Sequence, residues 1–319
     1  MTYKLLLGLT GLLALIAIVP VAVIFFDAPA SPPPMVSMAQ RHVDSGNVPA
    51  PRHFQGRDGA SLQYYAYPAE PDKIAVLVHG TAGPSSSMGA LAEALREAGV
   101  TAYVLDIRGH GGSGRRGDID YIGQLDDDVA DFVTQLGPAK TGETRTLVGF
   151  SGGAGFSIRF AGGPYGLLFD RYVFLAPILP GSAAWRPNAG GWFNIALPRL
   201  ITIAYLGQAG IHWFDGLPVI SYAVSRDPSR ETTASYSYRL SANFSAGRQY
   251  ESYLKNLCRP AAMLVGDADE QVVADQFAPL LQRLGVNIPV TIVPNMKHAD
   301  MIAAPAALSV VVRAVSAQD

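Results

Sequence analysis

Cysteine is nearly absent from this chain, Cys258 being the only one in 319 residues. No intrachain disulfide can form, and a cysteine-built metal cluster is excluded. The lone thiol is expected to pack as a small apolar residue. Charge is sparse too: 16% of the residues are Asp, Glu, Lys or Arg, and the formal net charge is −2. That balance provides no basic field for a nucleic acid, and no block of like charges suggests a polyelectrolyte partner. Glycine loops of the dinucleotide or P-loop kind are missing, which removes support for a nucleotide cofactor. No cofactor and no metal are expected, and no internal repeat divides the chain.

Charge vanishes altogether from Leu5 to Phe26, an uncharged run of 22 residues. At about 1.5 Å per residue, a helix of that length crosses a hydrocarbon core of about 30 Å. Residues 1–27 are therefore expected to form an N-terminal transmembrane helix. Ala28-Pro29-Ala30 leaves cleavage open, but the run exceeds the roughly 7–15 apolar residues of a signal peptide, so an uncleaved anchor is preferred. Lys4 precedes the run and no basic residue follows it until Arg41. The positive-inside bias then places the bulk of the chain on the non-cytoplasmic side, the periplasm if the cell is bacterial. Residues 28–51, headed by Ser31-Pro32-Pro33-Pro34, read as a proline-rich spacer, and residues 52–319 as the folded domain.

Within that domain, strand patterns alternate with helix patterns. Leu62 to Tyr67 alternates as a half-buried strand, and Ile74 to Val78 is a continuous apolar run suited to a strand covered on both faces. A helix is expected from Ser85, with Met88, Leu91, Ala92 and Leu95 at helical spacing and Gly99 as its stop. Thr101 to Leu105 gives the next strand. A second helix carries Ile122, Leu125, Val129, Phe132, Val133 and Leu136 inward, with Asp126, Asp127 and Asp128 assigned to its wet side rather than to a metal. Further strands are predicted at Arg145–Phe150, Tyr172–Ala176, Ala261–Val265 and Val290–Val293, and helices near Ala274–Leu284 and at the carboxyl end. Such alternation implies a mainly parallel sheet with helices on both faces.

Gly149-Phe150-Ser151-Gly152-Gly153 lies between the Arg145–Phe150 strand and a helical stretch. Strand, tight turn and helix are the context of a nucleophile elbow, in which a serine stands exposed on a strained turn and flanking glycines keep it uncrowded. Two later loops at strand ends bear an acid and a histidine, Gly266-Asp267-Ala268-Asp269 and Asn295-Met296-Lys297-His298. The chain order is serine, acid, histidine. Between them, residues 177–257 interrupt the alternation with Trp185, Trp192, Trp213 and many tyrosines and phenylalanines. An insertion of that size reads as a helical cap whose aromatics fill its own core, line an acyl pocket or face a bilayer.

With His79-Gly80 after a strand and the Asp106-x-Arg108-Gly109-His110-Gly111-x-Ser113 loop, these features make Phe54 to Val315 resemble the α/β-hydrolase superfamily. The resemblance is to the serine aminopeptidase, monoacylglycerol lipase and lysophospholipase-like branch. It implies that Ser151 attacks a carbonyl carbon, His298 is the base, and Asp269 orients the imidazole. It further implies an oxyanion hole of the Thr81 and Gly152 N–H groups. Asp267 competes with Asp269 for the acid role. Asp269 is preferred because the family's acid follows the strand-ending glycine by three residues. His79 and His110 are assigned to loop structure.

The expected activity is hydrolysis of carboxylic esters, of a small molecule or a lipid-like acyl ester such as a monoacylglycerol or lysophospholipid. An aminopeptidase-like amide hydrolase on the same fold is the alternative; an acidic cap residue binding the substrate amine would mark it, and Glu231 and Glu251 are the glutamates available there. A non-catalytic binding module on the same scaffold is a third reading. A dehalogenase or epoxide hydrolase is disfavoured because those place a carboxylate where Ser151 stands.

Overall fold

The computed structural model describes residues 20–33, 48–69, 72–187, 191–226 and 231–317. Most of the predicted membrane helix, residues 1–19, lies outside the described residues, as does most of the spacer, residues 34–47. Among the described residues no helix is long and apolar enough to cross a membrane. The described end of the uncharged run is a short helix, α1, over residues 20–26.

The domain opens with β1 (Arg52–Gln55), β2 (Ser61–Tyr67) and β3 (Lys73–Val78), followed by α2 (Gly89–Glu97), β4 (Thr101–Leu105) and α3 (Gln124–Leu136). Next come β5 (Thr144–Phe150), α4 (Gly152–Ala161) and β6 (Arg171–Leu175). After the insertion the chain resumes with β10 (Ala261–Gly266), α8 (Phe277–Leu284), β11 (Val290–Val293) and α9 (Pro305–Ser316). These strands form one eight-stranded sheet in the order β1-β2-β4-β3-β5-β6-β10-β11. From β4 to β11 every neighbouring pair is parallel, while β1 and β2 extend the sheet antiparallel.

The strand β3 shows why the sheet lies at the centre. Its alternate side chains enter different cores: Ile74, Val76 and Val78 pack with α3, α4 and α8, whereas Ala75 and Leu77 pack with α2 and α9. Period-two alternation sends an unbroken apolar run into two layers at once. Each fully buried valine or leucine there contributes roughly 1.5–3 kcal/mol of apolar transfer.

The insertion is not wholly helical. It contains β7 (Phe193–Ile195), α5 (Leu197–Gln208), β8 (Pro218–Tyr222), β9 (Ser235–Ser237), α6 (Tyr238–Asn243) and α7 (Tyr250–Asn256). Strands β7, β8 and β9 pair antiparallel in a second, three-stranded sheet. Each is only 3–5 residues long, too short for alternation to stand out among the surrounding prolines and glycines.

Three further expectations need correction. Ile122 is exposed and precedes α3, which starts at Gln124. Asp126 and Asp128 are buried rather than wet, because other elements bring cations to them. Arg159 Nε donates to Asp126 Oδ2 at 3.2 Å, and Arg108 Nη2 donates to Asp128 Oδ1 at 2.7 Å. Asp127 alone keeps to the surface side, paired with Arg57. Cys258 is exposed, in the loop after α7, its thiol donating to the Asn256 carbonyl at 3.2 Å.

Candidate active site

All the residues singled out for chemistry lie at the carboxyl edge of the parallel strands. Ser151 directly follows β5, and its φ of 57° puts a non-glycine residue in the left-handed region. Such a conformation costs of order 1–3 kcal/mol and persists only where the surroundings fix it. Here the Ser151 N–H donates to the Leu175 carbonyl at 2.8 Å, and its own carbonyl accepts from the N–H groups of Ala154, Gly155 and Ile178. The flanking glycines are required by space. A Cβ on Gly149 would stand 2.4 Å from the Gly153 carbonyl oxygen, and one on Gly153 would stand 2.3 Å from that of His79.

His298 stands at the start of a 3-10 turn after β11, and Asp269 three residues past the glycine that ends β10. The His298 Nε2 and Ser151 Oγ are 2.8 Å apart, and His298 Nδ1 lies 2.8 Å from Asp269 Oδ2. The other carboxylate oxygen of Asp269 accepts from the N–H groups of Gln271 and Val272 at 2.8 and 3.0 Å. Those donors hold the carboxylate, which receives the Nδ1–H and leaves the Nε2 lone pair for the serine hydroxyl. Two more contacts steady the imidazole: the His298 N–H donates to Glu270 Oε2 at 3.1 Å, and the ring lies 4.9 Å from that of Phe150. Asp267, the competing acid, is a turn staple. Its Oδ1 accepts from the Asn295 N–H at 2.6 Å.

Thr81 follows β3, the strand beside β5. Its backbone nitrogen lies 3.5 Å, and its γ-methyl 2.3 Å, from where a Cβ on Gly152 would be. The N–H groups expected to face an oxyanion thus belong to adjacent residues on neighbouring loops, and the missing side chain at 152 makes room for Thr81.

Residues from the insertion complete this loop, and sequence reasoning missed them. The Tyr236 hydroxyl accepts from the Ala82 N–H at 2.7 Å and bonds to His110 Nε2. Thr233 N–H donates to the Ala82 carbonyl at 3.0 Å, and the Tyr222 hydroxyl is hydrogen-bonded to the Thr81 side chain. Ala82 has a φ of 61°, so these bonds hold a second strained residue. Richness in tyrosine was visible in the sequence, but no spacing indicates which tyrosines reach back across 154 residues.

His79 and His110 act within loops. The His79 Nδ1–H donates to the Gly80 carbonyl at 2.9 Å, and Nε2 accepts from the Ile107 N–H. His110 Nδ1–H donates to the Ile107 carbonyl at 3.2 Å. Burial pushes the pKa of His79 down and that of His110 well down, the latter also because His79 is adjacent. Burial drives the Tyr236 hydroxyl pKa far up. All three stay neutral at ordinary pH.

Ser151, Asp269 and His298 are themselves buried, Ser151 only 4% exposed. The insertion reaches this site through Ile178, whose N–H donates to the Ser151 carbonyl, and through Tyr222, Thr233 and Tyr236, which bond to Thr81 and Ala82. A strained serine, an imidazole within hydrogen-bond reach of it and a doubly held carboxylate, beside paired backbone donors, can deprotonate an alcohol as it attacks an acyl carbon.

Sheet order, elbow and insertion together define an α/β-hydrolase-fold protein. The chain belongs to the serine aminopeptidase (S33) family, whose model matches residues 69–302. It is similar to a monoacylglycerol lipase of Mycolicibacterium smegmatis, 33% identical over 192 residues, which is 57% of this chain and 61% of that protein's length. Among solved structures, the monoacylglycerol lipase of Paleococcus ferrophilus superposes with a TM-score of 0.60 at 20% identity, covering 80% of this chain and 98% of that one. A soluble variant of monoglyceride lipase from Saccharomyces cerevisiae, solved with a substrate analogue, gives 0.61 at 16% identity, covering 86% and 96%. At those identities the two structures speak for the fold alone.

Proposed function

We propose that this protein is a serine esterase acting on lipid-like acyl esters of the monoacylglycerol or lysophospholipid kind. The observation that carries the reading is the imidazole of His298, placed 2.8 Å from both Ser151 Oγ and Asp269 Oδ2. Ser151 Oγ attacks the ester carbonyl carbon while His298 Nε2 takes the hydroxyl proton, and Asp269 stabilises the resulting imidazolium. The carbonyl oxygen, now an oxyanion, accepts from the N–H groups of Gly152 and Thr81. Collapse breaks the bond to the leaving alcohol, which receives the proton from His298, and leaves an acyl group on Ser151. Water then repeats the cycle: His298 takes its proton, the hydroxide portion adds to the acyl carbon, and Ser151 recovers its proton as the acid leaves.

Lipid-like esters are favoured over amides by the similarity to the M. smegmatis monoacylglycerol lipase. Of the cap glutamates, Glu251 is engaged with Arg283 at 3.1 Å, and no feature marks Glu231 for an amine. The test is a screen of the full-length protein against monoacylglycerols and p-nitrophenyl esters of graded chain length beside aminoacyl arylamides. Faster turnover of arylamides than of any ester overturns the substrate class.

The uncharged run from Leu5 to Phe26 supports a second part of the proposal: a single membrane tether with the hydrolase domain, residues 52–319, on the non-cytoplasmic side. An alkaline-phosphatase fusion after residue 60 is expected to be active. Activity of a cytoplasmic reporter there instead contradicts that orientation.

A further inference from the structure

Helix α5 (Leu197–Gln208) is largely apolar. Its twelve residues contain one charge, Arg199, and that side chain is buried, donating from Nη1 to the Pro218 carbonyl at 2.9 Å. Ile203 also points inward, while Leu197, Ile201 and Tyr205, spaced four apart on one stripe, are exposed. A surface helix in water turns charged or polar residues outward; one whose outward stripe is leucine, isoleucine and tyrosine is suited to being covered by protein or by lipid.

The same surface receives the end of the uncharged run. In α1, Ile24 is buried against Ile203 and Val219, and the Phe25 ring meets that of Phe214 edge-on at 6.1 Å. Just beyond, Asp27 Oδ2 accepts from the Arg199 N–H at 3.0 Å. Apolar exposure continues onto α1 through Phe25 and Phe26, the latter 89% exposed, and onto Trp213, 86% exposed. Exposed apolar area of this extent on a folded protein marks an interaction surface.

We propose that this face, built from α1, α5 and Trp213, lies in the interfacial zone of a phospholipid bilayer. The proposal rests on the membrane tether proposed above and adds that the tether is fastened to the insertion covering Ser151 rather than to the central sheet. Two observations select lipid over a second copy of the chain. The uncharged run beginning at Leu5 leads directly into α1, so the surface is continuous with a segment suited to hydrocarbon. It exposes Trp213 and Tyr205, residue types that collect where acyl chains meet headgroups. No exposed lysine or arginine lies on either helix, so the contact is apolar and independent of anionic lipid. A substrate partitioned into that leaflet then meets the protein at the cap.

Depth measurement tests this directly. The full-length chain carrying Cys258→Ser is spin-labelled through Tyr205→Cys or Trp213→Cys and reconstituted in phosphatidylcholine vesicles. Leu13→Cys labels the uncharged run, and Leu167→Cys labels an exposed site before β6, at the opposite edge of the sheet. Relaxation by oxygen is expected to exceed relaxation by a water-soluble nickel chelate several-fold at 13, 205 and 213, with the reverse at 167. Lipid contact at 13 with water contact at both 205 and 213 overturns the docking face and leaves the tether standing. Water contact at 13 with lipid contact at 205 and 213 overturns the span and supports the face. Water contact at all four overturns both.

Discussion

Tyr236 and Ala82 meet across the interface between insertion and sheet: the N–H of Ala82 donates to the Tyr236 hydroxyl at 2.7 Å. Ala82 is the residue after Thr81, so a cap side chain fixes the loop whose N–H is proposed to receive the oxyanion. The same hydroxyl bonds to His110, and the Ala82 carbonyl accepts from Thr233. The packing of the cap and the position of the proposed oxyanion loop are therefore tied together by these bonds.

Removing that hydroxyl tests the coupling. Tyr236→Phe leaves the Ala82 N–H and His110 Nε2 buried without a partner, at about 1–3 kcal/mol for each unpaired group. Urea unfolding is expected to show a loss of that order, and kcat for a p-nitrophenyl ester to fall roughly tenfold or more, as when an oxyanion donor is displaced. Unchanged kcat and unchanged stability contradict the coupling.

The two aspartates of the acid loop are separable. Asp269→Asn loses the carboxylate that holds the His298 Nδ1–H, and kcat is expected to fall by about 10⁴. Asp267→Asn alters only the bond to the Asn295 N–H and is expected to leave kcat within about twofold, since it touches no reacting group. Steady-state kinetics on both variants decides between them; the opposite ranking reverses the assignment.

Gly152 and Thr81 are predicted to be coupled by shape. A methyl at 152 would stand 2.3 Å from the Thr81 γ-methyl, so Gly152→Ala should displace the Thr81 loop and lower kcat about tenfold. Thr81→Ser removes the obstructing methyl and should restore most of the loss in the double variant. Additive effects in that cycle show that the two residues do not share one space.

Stability should depend on pH through the buried histidines. Burial lowers the pKa of His79 and of His110, the latter the further, whereas the unfolded chain takes up these protons near the ordinary histidine value of 6.5. The unfolded state then binds more protons, so this contribution is intact above 6.5 and is lost as pH falls through the window below it. Asp128 acts in the opposite sense. Its carboxyl is pushed up to about 6 by burial despite Arg108, and its contribution is lost as pH rises through that value. Replacing one histidine isolates its share. From pH 8 to 5, the urea-unfolding free energy of the wild type should fall more steeply than that of His110→Asn. Parallel curves contradict the buried-neutral state of His110.

Much of the central sheet was legible in the sequence because strands buried on both faces leave continuous apolar runs. The predicted strand Thr101–Leu105 coincides with β4, and Val290–Val293 with β11. Ser151, Asp269 and His298 could be singled out because each follows a strand of that sheet, where a turn exposes it at one edge. The insertion was not legible in the same way. Its strands β7 and β9 have three residues each, too few to show a period, and the partners that set Tyr236 and Thr233 lie far away in sequence. Asp126 and Asp128 misled for a related reason: charged residues on a helix look wet until distant Arg159 and Arg108 are in place.

The central claim is that Ser151 is an activated nucleophile. Full-length protein treated with a fluorophosphonate and digested for mass spectrometry tests it most directly. The account predicts a single phosphonylated peptide with the adduct on Ser151, absent after Ser151→Ala and strongly reduced after His298→Ala. An adduct on another residue, or none on folded wild-type protein, contradicts it.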